Sequence, residues 1–504
     1  MVATQAVRFI VVASLGLASA FGACADHVFV VGGGPTPSNS QISIEKNVVY
    51  FRSVLHYLGR SDLDPCVLFA SGPDASPDVC FDVSDRIPPA YALAADLFGD
   101  PKAVRVRFRP HELGPVQGAS ERSAILAKLS EYAKTLGAGD RLFVYVTGHG
   151  GKGDPTSNGY LATWNNDKLP VKQFAEVLDA FDPLVEVVVV MVQCYSGAFA
   201  NLLFEGGDPS RPLARHRRAG FFATVDSRPA AGCTPDVRIE NYKEYSTSFY
   251  AGLSGRDRFG KPVVVEDLDG DGRVSFAEAH AYTTVESDTI DVCYRTSDRF
   301  LETQARLDPA DDKLLSLDVA LDELLARADP VRRFALDRLA RELKIKKDAP
   351  VADARRSAEL ISKQRKSLQD RINKADAASK QEGERIKNAL LVRWPCLRSP
   401  WHPDTHALLD GDGAEFVAAV ESHPAYKNWR LGRERVRQLR EMDLRKERQW
   451  AKFERFLLAA TSVVRAENLR REGAPELVAR YEELLALEGA SLAPTGPPAA
   501  GLAN

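Results

Sequence analysis

Two stretches of the sequence set the expectations for the whole chain, LFVYVTGHGG at residues 142–151 and VVVVMVQCYSG at residues 187–197. Each begins with a nearly unbroken apolar run, as expected of a strand that is buried on both faces of a parallel sheet. The first run leads into His149 and the second into Cys194, and glycine follows both residues closely. Because ligands of open α/β sheets bind beyond the carboxyl ends of the strands, we expect the two side chains to meet in one crevice.

Alternating strand-like and helix-like patterns extend this interpretation over residues 26–305. Further apolar runs near residues 27–31, 103–108 and 221–225 predict strands. The segments between the runs repeat apolar residues every three or four positions, which is typical of amphipathic helices. The pattern predicts an α/β fold, a three-layer α/β/α domain with a mostly parallel sheet.

The two ends of the chain are predicted to lie outside this domain. From residue 306 to 490 the strand pattern disappears and Arg, Lys, Glu, Leu and Ala dominate, which predicts an all-helical C-terminal region. Residues 491–504 are rich in Pro, Gly and Ala and are predicted to form a disordered tail. Residues 1–25 combine Arg8, an apolar run and the small-x-small sequence Ala23-Cys24-Ala25, the layout of a secretory signal peptide.

The signal peptide predicts an exported protein, periplasmic or extracellular. Its apolar run is shorter than the roughly 20 residues of a membrane-spanning helix, and no later segment predicts a transmembrane helix. Cys24 also lies in a loose lipoprotein cleavage sequence, so a lipid anchor through Cys24 is an alternative. Sequence proximity alone suggests disulfides between Cys66 and Cys80 and between Cys233 and Cys293, although sequence does not fix the pairing.

The net charge argues against one class of partner. The formal charge is -3 for 504 residues, so the chain as a whole has no attraction for nucleic acid. The basic clusters near residues 215–218 and 430–448 are short or interleaved with acids, which is typical of solvated surface. No nucleic-acid partner is therefore expected.

Cys194 and His149 are residue types that suit nucleophilic catalysis. A free thiol, with a pKa of about 8.5, is mostly protonated at neutral pH, and a neighbouring imidazole makes the thiolate more available. We expect His149 to act as general acid/base and to protonate the leaving amine. Gly150 has no side chain, so its N–H can approach a substrate and form an oxyanion hole with the N–H of Cys194. No cofactor is required for this chemistry.

The order of these motifs resembles the caspase-hemoglobinase fold of cysteine peptidases, where the histidine of the caspases lies about 50 residues before the cysteine. Cys194-Tyr195-Ser196-Gly197 is similar to the legumain family in particular, whose nucleophile is followed by x-Ser-Gly. The resemblance covers residues 27–300 and implies a cysteine endopeptidase that acts on proteins or peptides. Gln193 and Gly148 depart from the pattern, which usually has alanine and, in legumain, an acidic residue there. Other similar positions are Asn165, Asp167, Leu169, Val171, Ala223, Thr224, Glu244, Tyr245 and Ser246.

The resemblance also names substrate-binding candidates and a role for the helical region. Asp226 and Glu244 follow the segment that lines the specificity pocket of legumain-like enzymes. An acidic pocket would favour Lys or Arg before the cut, whereas legumain implies Asn and caspases imply Asp, so the cleavage residue stays open. Legumain-like enzymes carry a helical C-terminal segment that restrains the active site, so residues 306–490 are expected to act as an intramolecular cap or a partner-binding arm.

Two other functions stay open at this level. The departures at Gln193 and Gly148 suit a catalytically weak or inactive protein that binds calcium and a partner. A transpeptidase would use the same Cys194 and His149 but would pass the acyl group to an amine.

Residues 267–278 follow the spacing of an EF-hand calcium loop. Aspartates occupy positions 1, 3 and 5, Gly272 stands at position 6, and a glutamate stands at position 12. The valines at 263–265 replace an incoming helix, so we expect an EF-like loop with an exiting helix and a structural Ca²⁺. The predicted ligands are Asp267, Asp269, Asp271, the carbonyl of Arg273, Ser275 through water, and Glu278.

Overall fold

The computed structural model describes residues 25–308, 310–399 and 402–494. The predicted signal peptide and its Cys24 therefore lie outside the described residues, apart from Ala25. Within the described ranges, no helix combines the length and apolar character that a membrane crossing requires.

Ten strands occur among the described residues, and they form one large sheet and one small hairpin. Their bounds are β1 Asp26–Gly33, β2 Cys66–Phe69, β3 Val79–Asp82, β4 Val106–Arg109, β5 Arg141–Gly151, β6 Tyr160–Thr163, β7 Asp167–Pro170, β8 Glu186–Met191, β9 Arg217–Phe222 and β10 Tyr294–Arg295.

The large sheet has the order β10-β9-β8-β5-β1-β2. From β9 to β2 all neighbours are parallel, whereas β10 is antiparallel to β9. The end of β5 leaves the parallel ladder and pairs with β6, which pairs with β7. The short β3 and β4 form the separate antiparallel hairpin. The strands with His149 and Cys194 at their ends, β5 and β8, thus lie side by side in the middle of the sheet.

Fifteen α-helices occur among the described residues. Their bounds are α1 Ile42–Tyr57, α2 Pro89–Phe98, α3 Pro101–Arg105, α4 Arg122–Thr135, α5 Val171–Leu178, α6 Tyr245–Ser254, α7 Phe276–Glu286, α8 Thr296–Gln304, α9 Leu321–Arg327, α10 Pro330–Leu343, α11 Asp353–Arg393, α12 Pro403–Gly411, α13 Gly413–Glu421, α14 Tyr426–Glu472 and α15 Pro475–Glu488.

Apolar side chains of the sheet alternate between two buried cores. In β1, Val28 and Val30 face the core that contains α1, α6 and α7, while Phe29 and Val31 face the core that contains α4 and α5. This alternation follows from the two-residue repeat of a strand. The predicted three-layer α/β/α fold with a mostly parallel sheet and a helical C-terminal region is confirmed.

The predicted boundary near residue 305 does not separate two independent units. Helix α15 packs against β9, and its Leu484 and Leu487 belong to the same buried core as Phe221 of β9. Glu488 at the end of α15 forms a buried ion pair with Arg295 of β10, with 3.2 Å between Oε2 and Nη1. The last helix therefore completes the core of the α/β domain.

The described part of the predicted tail is also ordered against the domain, which corrects that prediction. Leu492 is fully buried, and its carbonyl accepts a hydrogen bond from Arg60 at 3.0 Å. The carbonyl of Ser491 accepts one from Arg141 at 2.9 Å. The burial of Leu492 and these two hydrogen bonds explain why residues 491–493 are ordered against the α/β domain.

The two longest helices, α11 and α14, form a long hairpin. At its base, α14 packs against α8 and α10, and at its tip the hairpin and α13 pack against α2. Between base and tip, the buried apolar cluster contains only α11 and α14 residues, namely Leu368, Ile372, Val436 and Leu439. In this middle part the two helices support each other.

The disulfides suggested by sequence proximity are wrong. All six cysteines of the described residues are free thiols. Cys80 is buried and its Sγ lies 3.4 Å from the carbonyl oxygen of Ser38, whereas Cys233 contacts the carbonyl of Gly148 at 3.4 Å. The thiols of Cys80 and Cys233 therefore contact backbone carbonyls and do not pair with the cysteines nearest to them in sequence.

Candidate active site

The register of β5 and β8 places His149 beside Cys194. Val146 pairs with Met191, an offset of 45 positions, and the same offset relates His149 to Cys194 just beyond the paired residues. Adjacent parallel strands lie about 4.8 Å apart, so the two residues leave the sheet as neighbours. Both are partly exposed to solvent. The register places the two backbones side by side at the carboxyl end of the sheet. Among the described residues, the imidazole contacts Gln41 and the thiol contacts Ala230, so a direct contact between imidazole and thiol stays a prediction.

Gly150 lies directly against the nucleophile segment. A Cβ on Gly150 would come within 2.4 Å of the carbonyl oxygen of Cys194 and 2.6 Å of Cγ of Gln193. Only glycine therefore allows β5 to pass this close to Cys194. The backbone N–H of Cys194 donates to no carbonyl of another residue in the described part of the chain.

The two departures from the legumain pattern have steric explanations. A Cβ at Gly148 would lie 2.5 Å from the carbonyl oxygen of Gly33, the residue that it pairs with on β1. An acidic side chain would not fit there. Gln193 is buried and its side chain packs against Gly150, on the interior side of the strand.

The sequence Ser-Gly after the nucleophile also follows from close packing. A Cβ on Gly197 would lie 2.7 Å from the carbonyl oxygen of Thr224, in the segment that follows β9. The N–H of Gly197 donates to that oxygen at 2.8 Å, and the fully buried Ser196 hydroxyl lies 3.3 Å from the N–H of Thr224. Small residues at 196 and 197 thus fix the turn that carries Cys194.

A third side chain, missed by the sequence analysis, orients the histidine. Nε2 of His149 lies 2.9 Å from Oε1 of Gln41, the residue just before α1. The contact holds the plane of the imidazole ring, and which ring nitrogen carries the proton depends on the tautomer. A neutral amide orients the ring without adding the negative charge that would raise the pKa of the imidazole. Nothing in the local sequence around Gln41 marks it, because its partner is 108 positions away.

Burial sets the protonation state of both reactive groups. It lowers the pKa of His149, although a hydrogen bond to the Asn39 backbone acts in the opposite direction. It raises the pKa of the Cys194 thiol, and the hydrogen bond from Ala230 opposes this only in part. Sγ of Cys194 lies 3.3 Å from the N–H and 3.8 Å from the carbonyl oxygen of Ala230. The arrangement favours a neutral thiol beside a neutral imidazole in the resting protein.

The loop that contacts Cys194, residues 228–233, is attached to the long hairpin. The carbonyl of Arg228 accepts a hydrogen bond from the N–H of Tyr195 at 2.9 Å. The Arg228 side chain forms an ion pair of 2.8 Å with Glu447 of α14 and lies 4.3 Å from the ring centroid of Trp450. Helix α14 therefore fixes the loop next to the nucleophile.

A buried polar network supports the same loop from below. The carboxylate of Asp291, fully buried, accepts a hydrogen bond from the N–H of Ala231 at 2.6 Å. Burial raises the pKa of Asp291 to about 6. Arg455 of α14 is also buried, and it donates to the carbonyls of Thr284, Ser287, Thr289 and Asp291. These residues were not predicted as part of the site, because the network joins segments more than 160 positions apart.

The two predicted substrate-binding carboxylates lie in different surroundings. Asp226 is partly exposed, two residues before Arg228 on the rim of the site. Glu244 is buried, with an ion pair of 2.8 Å to Arg258 and a hydrogen bond of 2.6 Å from Ser246. Burial raises the pKa of Glu244, while Arg258 acts in the opposite direction. Glu244 is therefore a partner of Arg258 below the loop, which corrects its assignment as a free pocket carboxylate.

The predicted calcium loop has part of the expected geometry. Oxygens of Asp267, Asp269 and Asp271 lie within 4.8 Å of one another, and Gly272 has the positive φ of 82° that the sharp turn at position 6 requires. Three carboxylates at this spacing fit a hard cation. As predicted, α7 follows the loop.

The second half of the loop has other partners in this structure. Glu278 Oε2 accepts hydrogen bonds from the N–H and the hydroxyl of Ser275, at 2.8 and 2.9 Å, and so caps α7. Glu278 Oε1 accepts one from the N–H of Leu268 at 2.6 Å. Arg273 pairs with Asp271 at 3.1 Å. Coordination through all six predicted positions would require Glu278 to leave Ser275.

Comparison with known proteins supports a peptidase-like segment. Residues 124–208, which include His149 and Cys194, match the peptidase C13 family, the legumain family of cysteine peptidases. No curated protein matches the chain. A crystal structure of a protein from Geobacter sulfurreducens is similar at 11% identity over 45% of this chain and 80% of that chain, with a TM-score of 0.28. The family match supports a cysteine peptidase-like function.

Proposed function

We propose that the protein is an exported cysteine endopeptidase in which Cys194 is the nucleophile and His149 the general acid/base. The observation that carries this proposal is the placement of Cys194 and His149 by one β-sheet register, with Gln41 orienting the ring. The match to the peptidase C13 family over the same segment supports it. Export is proposed from the N-terminal sequence pattern alone.

The first half of the reaction forms an acyl-enzyme. The imidazole of His149 takes the proton of the Cys194 thiol, and the thiolate attacks the carbonyl carbon of the scissile peptide bond. The N–H groups of Gly150 and Cys194 are proposed to stabilise the oxyanion of the tetrahedral intermediate. His149 then returns the proton to the amine nitrogen as the C–N bond breaks, which leaves a thioester on Cys194.

The second half releases the acid product. His149 takes a proton from a water molecule, whose oxygen attacks the thioester carbon, and the C–S bond breaks as the thiol is reprotonated. The burial that lowers the pKa of His149 leaves its imidazole unprotonated at neutral pH, as a general base requires. The first proton transfer therefore occurs between two neutral groups.

A structural calcium ion at residues 267–278 is a further part of the proposal. The spacing of the loop and the convergence of Asp267, Asp269 and Asp271 support it. The chain continues from this loop into α7, whose Phe276 and Ala279 lie in the core beneath the sheet. An ion there would brace the start of α7 and would take no part in bond cleavage.

Cleavage of a peptide library by the full mature chain tests the proposal. We expect endoproteolytic products with the wild type and none with Cys194→Ala or His149→Ala. Cys396→Ala, which changes a half-buried thiol near the tip of the hairpin, is the matched control and should behave as wild type. Absence of cleavage by wild type, with Cys194 unreactive toward thiol reagents, would favour the alternative of an inactive binding protein. Ligated products on addition of amines would instead indicate transpeptidation.

A further inference from the structure

The middle of the long hairpin is attached to the α/β domain at both of its ends. We call this middle part, residues 365–383 of α11 and 429–447 of α14, the arch. At one end, Glu447 pairs with Arg228. At the other end, Arg433 pairs with Asp96 of α2 at 3.0 Å, and Trp429 packs in one apolar cluster with Ala94 of α2. Trp429 and Glu447 are 18 positions apart, about 27 Å along a helix.

The two attachments lie on opposite sides of the reactive pair. Arg228 follows β9, whereas α2 belongs to the insertion between β3 and β4, which follows β2. In the sheet order β9-β8-β5-β1-β2, the strands that end at Cys194 and His149 lie between them. The insertion also contacts the segment before Gln41, because the N–H of Cys80 donates to the carbonyl of Ser40 at 2.9 Å.

The arch extends beyond the edge of the sheet where the reactive pair lies. Tyr294 pairs with Phe222 at the carboxyl end of β9, so the loop just before Tyr294, which Arg455 contacts, lies at that edge. From Arg455 toward Trp429, α14 continues for 26 positions, about 39 Å. From these positions, the arch is inferred to extend from the Arg228 side toward the α2 side, at the edge of the sheet where β8 and β5 end.

The space between α2 and the arch is lined by both charged and apolar side chains. A cavity of about 1280 Å³ opens between α2 and the arch, and its lining includes Asp376, Arg437 and Arg440. An extended polypeptide with its side chains is about 10 Å thick, judged from the spacing of stacked sheets. A folded domain of 100 residues has a radius of gyration of about 13 Å, which for a compact sphere corresponds to a diameter of about 34 Å, larger than the roughly 27 Å between the two attachments.

We propose that the arch restricts the substrates of the enzyme to extended, unfolded polypeptide segments that pass beneath it, with a free end or after transient detachment of the arch. This inference rests on the proposed peptidase function. Loops on the surface of folded proteins are excluded because the arch, attached on both sides of the reactive pair, keeps a folded body away from Cys194.

An engineered disulfide ties α13, which lies at the tip of the hairpin just before α14, to α2 and so fixes the α2 end of the arch. A Cβ on Gly413 would lie 3.2 Å from Cβ of Ala90, so Ala90→Cys combined with Gly413→Cys needs a shift of a few tenths of an ångström to reach disulfide geometry. The substrate is a flexible linker with a cleavable sequence and a green fluorescent protein domain at one end or at both ends. The linker with a domain at both ends is called doubly blocked, and the linker with a domain at one end is called singly blocked. The readout is the cleavage rate of the doubly blocked linker divided by that of the singly blocked linker. A partial loss of active enzyme lowers both rates equally and does not change this ratio.

We expect the disulfide form to lower this ratio at least 10-fold relative to wild type, and reduction of the disulfide to restore it. The single variant Gly413→Cys should match wild type. A ratio near one in the disulfide form would overturn the proposal, because a doubly blocked linker would then reach Cys194 without a free end and without detachment of the arch.

A second readout separates failure of the arch from failure of the peptidase function. The second readout is the rate at which Cys194 is alkylated. One reagent is iodoacetamide, and the other is a doubly blocked linker that carries an iodoacetyl group in its middle. Mass spectrometry identifies the modified residue. If no peptide is cleaved, the peptidase proposal fails, and the arch is judged by this labelling. In the disulfide form, the doubly blocked linker should label Cys194 at least 10-fold more slowly, relative to iodoacetamide, than the same linker with a domain at only one end. Equal rates for the two linkers would refute the arch.

Discussion

Nε2 of His149 lies 2.9 Å from Oε1 of Gln41, a residue 108 positions earlier in the chain. Because this contact holds the ring in place, Gln41→Ala should lower kcat by roughly 10- to 100-fold with little change in KM. Gln41→Glu should raise the pKa of His149 and move the acid limb of the kcat/KM profile to higher pH. Steady-state kinetics across pH checks both results. Gln369→Ala, on the exposed side of α11, is the control, and an unmoved acid limb in Gln41→Glu would contradict the assigned contact.

The reactive pair should be neutral in the resting protein. Burial raises the pKa of Cys194 and lowers that of His149, so the free energy favours thiol and imidazole over thiolate and imidazolium. The rate of Cys194 alkylation by iodoacetamide should therefore rise with pH through a midpoint above the usual value of about 8.5. His149→Ala should leave this curve nearly unchanged while it abolishes peptide cleavage. A plateau of reactivity below pH 7 in the wild type would show that an ion pair exists instead.

Gly150→Ala should disable the site by displacing the nucleophile. The new Cβ would lie 2.4 Å from the carbonyl oxygen of Cys194, and a backbone shift of about 1 Å costs roughly 100-fold in rate. Gly137→Ala is the matched control, because a Cβ there meets no atom within 4 Å, and its rate should stay within about twofold of wild type. Peptide cleavage measures the effect, and circular dichroism verifies the fold. Full activity of folded Gly150→Ala would contradict the described contact.

The ion pair at the end of α15 should make the C-terminal helix part of the folding unit. Glu488→Ala leaves Arg295 buried without its partner, and such losses cost about 3 to 5 kcal/mol in the free energy of unfolding. Glu482→Ala removes an exposed pair with Arg470 and should cost at most about 1 kcal/mol. Urea unfolding of the two variants measures the difference. Equal losses would show that α15 is not integrated into the core.

Calcium should stabilise the protein through residues 267–278. A titration with Ca²⁺ should raise the melting temperature of the wild type, and chelation should reverse the increase, because an ion that binds the folded state shifts the equilibrium by mass action. Asp267→Ala combined with Asp269→Ala should remove this response. Asp410→Ala combined with Asp412→Ala, in another Asp-Gly turn, should keep it. A response that is the same in both double variants would place the ion elsewhere.

The sequence was sufficient for the centre of the sheet and for the backbone positions of His149 and Cys194 at the ends of two adjacent strands. The apolar runs before His149 and Cys194 are local patterns, and parallel pairing of β5 and β8 at one offset is enough to bring the two residues together. The sequence also shows glycine at positions 150 and 197, but it does not show which atoms a side chain at these positions would clash with.

Only the tertiary structure decided which polar groups support that pair. Gln41, Asp291 and Arg455 reach the site from distant segments, and α15 completes a core that the composition of the chain had suggested ends near residue 305. Periodicity is a property of neighbouring residues, which is why strands and helices are readable from the sequence. A buried polar contact depends on where the chain returns after 100 or more positions, and that is fixed only when the whole core has formed.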